Sequence, residues 1–69
     1  MERVPVSSTQ AASIGYDPAS STLEVEFTNG SIYQYFDVPQ SIYDELMASP
    51  SIGKAINAFI RQNYRFAKQ

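Results

Sequence analysis

Residues 22–39 read TLEVEFTNGSIYQYFDVP, and the place of every ring in this stretch depends on how the chain turns at Asn29-Gly30. Thr22 to Phe27 alternates cleanly. Leu23, Val25 and Phe27 point one way and Glu24 and Glu26 the other, the period-2 pattern of a strand with one face buried and one face to water. Asn-Gly is a strong hairpin signal. A two-residue Asn-Gly loop pairs Phe27 with Ile32 and Val25 with Gln34. That register turns Tyr33 and Tyr35 onto the glutamate face and Gln34 into the core. A three-residue Thr28-Asn29-Gly30 loop, with Gly30 left-handed in a bulge, pairs Val25 with Tyr33 and Leu23 with Tyr35. It gathers the large rings on the Leu23/Val25/Phe27 face, sets Gln34 beside Glu24, and sets Ile32 beside Glu26. A one-residue slip flips every side chain, so burial decides. An unpaired buried amide costs about 1–3 kcal/mol, and a buried ring contributes about 1.5–3 kcal/mol. The bulged hairpin is expected, with the tyrosine rings mainly in the core and their hydroxyls at the sheet margin.

Outward from this hairpin the pattern is shorter. Asp17-Pro18-Ala19-Ser20-Ser21 is turn chemistry. Before it, Ala12 to Tyr16 reads as a short strand with Ile14 and Tyr16 on one face. Residues 1–10 lack a period and are expected to be a flexible N-terminal arm. After the hairpin, Val38-Pro39 ends the strand and opens a helix, where proline suits the first turn. Ile42, Tyr43, Leu46 and Met47 form its apolar stripe. Ala48-Ser49-Pro50-Ser51 breaks it, and Ser51 is placed to cap a second helix over Ile52 to Tyr64. Ile52, Ile56, Phe59 and Ile60 make that helix's buried stripe, and residues 67–69 are left as a tail. The expected architecture is α+β: a single domain over 11–66, with a three-stranded antiparallel meander covered on one face by two C-terminal helices (β-β-β-α-α). Its expected core is Tyr16, Leu23, Val25, Phe27, Tyr33, Tyr35, Tyr43, Leu46, Ile56, Phe59 and Ile60.

Composition bounds what this domain can do. Sixty-nine residues make one small domain whose core supplies only about 3–5 kcal/mol of net stability. There is no Cys and no His, so there is no disulfide and no thiolate or imidazole metal site, and no cofactor is expected. The start shows no signal-peptide pattern, and no stretch nears the roughly 18 apolar residues a membrane span needs. A cytoplasmic protein, monomeric by default, is the resulting expectation. The net charge of −2 conceals an asymmetry. Residues 1–45 carry seven acids and Arg3, and residues 46–69 carry Lys54, Arg61, Arg65 and Lys68 with no acid. Two readings stand: the halves attract each other in the fold, or the basic half meets an acidic partner.

Catalysis finds little support, and the chain is read as non-enzymatic. The usual base and nucleophile are missing with His and Cys. Glu24 and Glu26 lie about 7 Å apart by strand geometry, a separation that serves glycoside hydrolysis; a solvated strand face accounts for the same alternation. Ser51-Ile52-Gly53-Lys54 sits at a helix start that could hold an anion, but it lacks the spacing of a phosphate-cradling loop. The stronger candidate is a polar stripe on the second helix. Lys54, Asn57, Arg61 and Tyr64 recur at i, i+3, i+7 and i+10, with Arg65 beside them. Cations, an amide and a ring are the groups that contact phosphates, sugars and bases. The competing reading is a solvated face whose Arg61 pairs with a strand glutamate.

The order of these segments resembles a known family. SIGYD, LEVEF, NGSIYQYFDVP, YDEL and SIGKAINAFIRQNY are similar to the KTSC domain, over roughly residues 7 to 66. Tyr33-Gln34-Tyr35 matches its Y-x-Y signature, and Ile14, Gly15 and Tyr16 match its first strand. Val38, Pro39, Tyr43, Ser51, Gly53, Asn57, Ile60, Arg61 and Tyr64 match its helical half. The family occurs at the C-terminus of some lysyl-tRNA synthetases and as stand-alone small bacterial proteins. The resemblance implies no established activity and a suggested role in RNA binding, to single-stranded or structured RNA. The net negative charge departs from what an RNA binder usually shows. The alternative is a protein–protein interaction module that receives an acidic protein on the same face or at the sheet edge.

Overall fold

The bulged hairpin is present in the structure, a computed structural model that describes residues 2–69. Strands β3 (Thr22–Phe27) and β4 (Ile32–Tyr35) pair antiparallel with Leu23 opposite Tyr35, Glu24 opposite Gln34, Val25 opposite Tyr33 and Glu26 opposite Ile32. Phe27 closes the loop by donating its N–H to the Ser31 carbonyl at 2.8 Å and accepting from the Gly30 N–H at 2.9 Å. Gly30 sits at φ +91°, a conformation in which a Cβ is strained, so glycine serves the bulge. Before β3, strand β2 (Ala11–Asp17) pairs through the expected turn. There Asp17 accepts hydrogen bonds from the Ala19 N–H and the Ser20 hydroxyl.

Two further strands enlarge the expected three-stranded meander to five. Strand β1 (Arg3–Pro5) lies against β2, and strand β5 (Phe66–Lys68) lies against β4. All neighbours are antiparallel and follow the order β1-β2-β3-β4-β5. The flexible arm expected over residues 1–10 and the tail expected over 67–69 therefore each contribute an edge strand; the arm's Met1 lies outside the described residues. Three residues are too few to show a period, so only the neighbouring strand's unpaired edge defines these elements.

Helix α1 (Gln40–Ala48) begins after Pro39 and stops before Pro50, whose ring disfavours helical backbone at Ser49. Helix α2 (Ile52–Ala55) follows Ser51 and continues as a wider π turn, Ile56–Ile60. Ser51 holds the cap position, but its side chain makes no capping bond. The helical segment ends at Ile60, short of the expected Tyr64. In the π turn the Arg61 N–H reaches back five residues to the Ile56 carbonyl, 3.0 Å. Ile56 and Ile60 both face inward, fully buried, as their four-residue spacing allows, while on the widened turn Phe59 swings out to 37% exposure. Phe59 is thus not a core residue.

The helices cover the face carrying Ile14, Leu23, Val25, Phe27 and Tyr35, and Val38, Leu46, Ile56 and Ile60 complete the core. Tyr16, Tyr33 and Tyr43 are half-buried against it. The Tyr16 ring stacks on Tyr43 at 4.9 Å between centroids, and its hydroxyl donates to the Val38 carbonyl at 2.6 Å. No helix among the described residues is long and apolar enough to cross a membrane.

Candidate functional site

The four residues of the expected polar stripe and the neighbouring Arg65 do not share one surface. Lys54 borders a hollow with Ser8, Gln10 and Ser51. Tyr64 is half-buried and packs on the core. Arg65 lies beyond the helical segment and donates to Asp37 at 3.1 Å, both side chains being largely exposed. Asn57 and Arg61 alone come together, one wide turn apart, on the wall of a groove of about 650 Å³. The physical reasons are the π turn, which breaks the α-helical spacing on which the stripe was read, and the end of the helical segment at Ile60, before Tyr64 and Arg65.

The groove's floor is aromatic. Phe27, Tyr33 and Tyr35 enter it from β3 and β4, and Phe66 enters from β5. The Phe27 and Tyr33 rings meet edge to face at 5.6 Å. Phe66 leans on both tyrosines, at 5.6 Å from Tyr33 and 5.9 Å from Tyr35, while remaining 56% exposed. Arg61 places its guanidinium 4.9 Å from the Phe27 ring centre, within cation–π range. It has no carboxylate partner among the described residues. The strand glutamates lie on the opposite face of the sheet, so the competing reading, in which Arg61 pairs with a strand glutamate, is not met. Burial pushes the Tyr35 hydroxyl above its ordinary pKa; the Arg61 charge offsets part of that rise and Tyr33 adds to it. Tyr35 is therefore a neutral donor and acceptor in ordinary buffers.

The opposite wall comes from the hairpin loop and from the segment ahead of β2. Thr28 donates its N–H to the Gln10 carbonyl at 2.9 Å and its hydroxyl to the Thr9 carbonyl at 3.1 Å. The Gln10 side chain lies against Gly53, where a Cβ would stand 3.1 Å from its Cδ. Its amide oxygen accepts from Asn57 Nδ2 at 3.5 Å, the long limit of a hydrogen bond. Phe66 and Gln10 were not legible as site residues. Phe66 belongs to a strand too short to show a period, and Gln10 belongs to a segment without one.

The other face of the sheet is closed by polar bonds. Arg3 donates from Nε to Ser13 Oγ at 3.0 Å and from Nη1 to Glu24 Oε2 at 2.5 Å, and it reaches Glu26 at 4.0 Å. Gln34 donates to the second Glu24 oxygen at 3.0 Å, and Ser13 donates to Glu26 at 2.9 Å. Gly15 leaves the space across which this runs: a Cβ there would stand 2.5 Å from the Glu2 carbonyl oxygen and 3.0 Å from Arg3 Cγ. Burial pushes the Glu24 carboxyl up, but the bonds from Gln34 and Arg3 and the Arg3 charge outweigh it and leave the group below its ordinary pKa. Glu24 is buried, not the solvated strand residue its alternation implies. Arg3 and Gln34 engage both Glu24 oxygens, and Ser13 engages Glu26 Oε1.

Comparison with known proteins places this arrangement. Residues 7–64 match the sequence model of the KTSC domain. An uncharacterised protein of Stutzerimonas stutzeri is 40% identical over 67 residues, which span 96% of this chain and 94% of that one. A lysine–tRNA ligase of Nostoc punctiforme is 41% identical over 51 residues, covering 74% of this chain but 9% of the enzyme. The crystal structure of a KTSC domain protein from Yersinia pestis superposes with a TM-score of 0.96 at 35% identity, over 99% of this chain and 96% of that one. With nearly the whole sequence matched and the whole fold shared, this chain belongs to the KTSC domain family.

Proposed function

We propose that this domain is a non-catalytic module that binds RNA through the groove between the π turn and strand β5. One observation carries the reading: Arg61, with no carboxylate partner among the described residues, stands over an aromatic floor. Rings offer faces on which bases stack, whatever their sequence, and an unpaired guanidinium offers two donors to a phosphate. Asn57 and Gln10 add amides that can both donate and accept. The homologous segment within lysine–tRNA ligases, enzymes named for an RNA substrate, is consistent with such a role. The proposal narrows the basic helix of the sequence reading to Asn57 and Arg61 and moves the centre of the surface onto the sheet.

A chemical-shift titration of the intact chain with a short single-stranded RNA at two salt concentrations tests this. Shifts confined to Tyr33, Asn57, Arg61 and Phe66, with affinity falling as salt rises, support it. Each neutralised phosphate contributes a slope of about 0.7 in log K against log salt for a single strand. Shifts produced by an acidic protein and by no RNA would replace it with the protein-interaction reading.

A further inference from the structure

Resting on the RNA reading above, we infer that the groove is a site for one or two unpaired nucleotides and rejects duplex: a base lies flat on Phe66, with the Tyr33 ring, tilted 47° from Phe66, against its edge, while an adjoining phosphate meets Arg61. Three features of the groove lead there.

The first is where the ring faces are. They line a concavity beneath the π turn rather than an open sheet surface. A paired base inside a helix has both faces covered by its neighbours in the stack. Only a base splayed out of a strand, loop or end can bring a face to Phe66.

The second is charge. Duplex RNA is held by backbone contacts spread over successive grooves, which needs several cations along one surface. The groove lining contains a single formal charge, on Arg61. Lys54 borders a different hollow, Arg65 pairs with Asp37 at the surface, and Lys68, opposite Tyr33 at the end of β5, lies outside the lining. One cation matches the phosphate of one nucleotide.

The third is the pair of amides. Asn57 and Gln10 meet at 3.5 Å, a bond weak enough to exchange for the edge of a base. An unpaired base presents its Watson–Crick edge to such groups; a paired base does not. A volume of about 650 Å³ suits this size of ligand, since small-molecule sites run to about 300–1,000 Å³.

The deciding experiment titrates the full chain with three probes: a four-nucleotide single-stranded RNA, the same sequence within a blunt duplex, and a ribonucleoside monophosphate. The inference expects the single strand to shift the Asn57 side-chain amide, the Arg61 Nε–H and the Tyr33 and Phe66 amides. The monophosphate shifts the same signals at higher concentration, and the duplex leaves them in place. The salt slope for the single strand should be roughly that of one phosphate, about 0.7. Phe66→Ala should weaken single-strand binding on the order of tenfold, and Phe66→Trp, which keeps the stacking face, should restore it. Should Phe66→Ala loosen strand β5, the Trp variant still reads the stacking contribution on a folded domain. Equal groove shifts from duplex and single strand would overturn this inference while leaving the RNA reading intact. Unchanged affinity in Phe66→Ala would do the same. A chain that responds to no RNA probe would overturn both.

Discussion

The two faces of the sheet treat their charges differently. On the polar face Arg3 is locked by Ser13, Glu24 and Glu26, and Gln34 satisfies the remaining Glu24 oxygen. On the groove side Arg61 rests on a ring and Asn57 makes one long bond. A charge whose partners are already in the fold is committed to stability. A charge held only by a quadrupole keeps most of its hydrogen-bonding capacity for something else. Buried carboxylates are thus not by themselves the signature of a site here; the arginine without a carboxylate is the more informative group.

Substitutions can break this contrast, beginning with the largest effect. Tyr35, 3% exposed beneath the groove, belongs to both regions. Tyr35→Ala should cost about 3–5 kcal/mol, close to all a domain of this size possesses. Urea denaturation would show it, and a variant that melts like the parent would refute the role of the bulged register in burying that ring.

On the polar face, Gly15→Ala should cost about 1–3 kcal/mol, because the new methyl meets the Glu2 backbone and must push β1 off the sheet. Arg3→Ala should cost a similar amount, about 1–3 kcal/mol, by stranding Glu24 with one partner. It also carries a pH signature. Glu24 has a depressed pKa in the fold, so its contribution is complete above the ordinary carboxylate value of 4.5 and is lost as pH falls through the lower folded value. Without Arg3, burial pushes that pKa up. The acid limb of the stability curve should then begin at higher pH, and acid titrations followed by circular dichroism would reveal whether it does.

In the groove the order reverses, with small stability effects and large binding effects. Arg61→Ala should cost at most about 1 kcal/mol, the worth of an exposed cation–π contact. RNA affinity should fall and the salt slope shrink by about 0.7. A large drop in melting temperature instead would return Arg61 to the structural class. Smallest of all is Arg65→Ala. Its partner Asp37 is as exposed as Arg65 itself, and surface pairs of this kind contribute about 0–1 kcal/mol. Melting and RNA binding should both stay near the parent's, and an Arg65 variant that loses RNA would widen the site beyond the groove.

What the sequence by itself determined is the part governed by local pattern and burial. The alternation of Leu23 to Phe27, the Asn29-Gly30 turn and the apolar weight of Tyr33 and Tyr35 leave one sensible register, and the structure has it. Pro39, Pro50 and the stripe ending at Met47 likewise place helix α1. Only the tertiary structure decided the edges and the groove. Strands β1 and β5 exist because β2 and β4 offer unpaired backbone at the right distance, which three-residue segments cannot announce. The helical segment ends in a π turn at Ile60, which leaves Asn57 and Arg61 on the groove while Tyr64 and Arg65 fall beyond the helix. Gln10, Phe27, Tyr33, Arg61 and Phe66 converge from five segments of the chain. No spacing rule links them, because their proximity depends on how the sheet and the helices pack together.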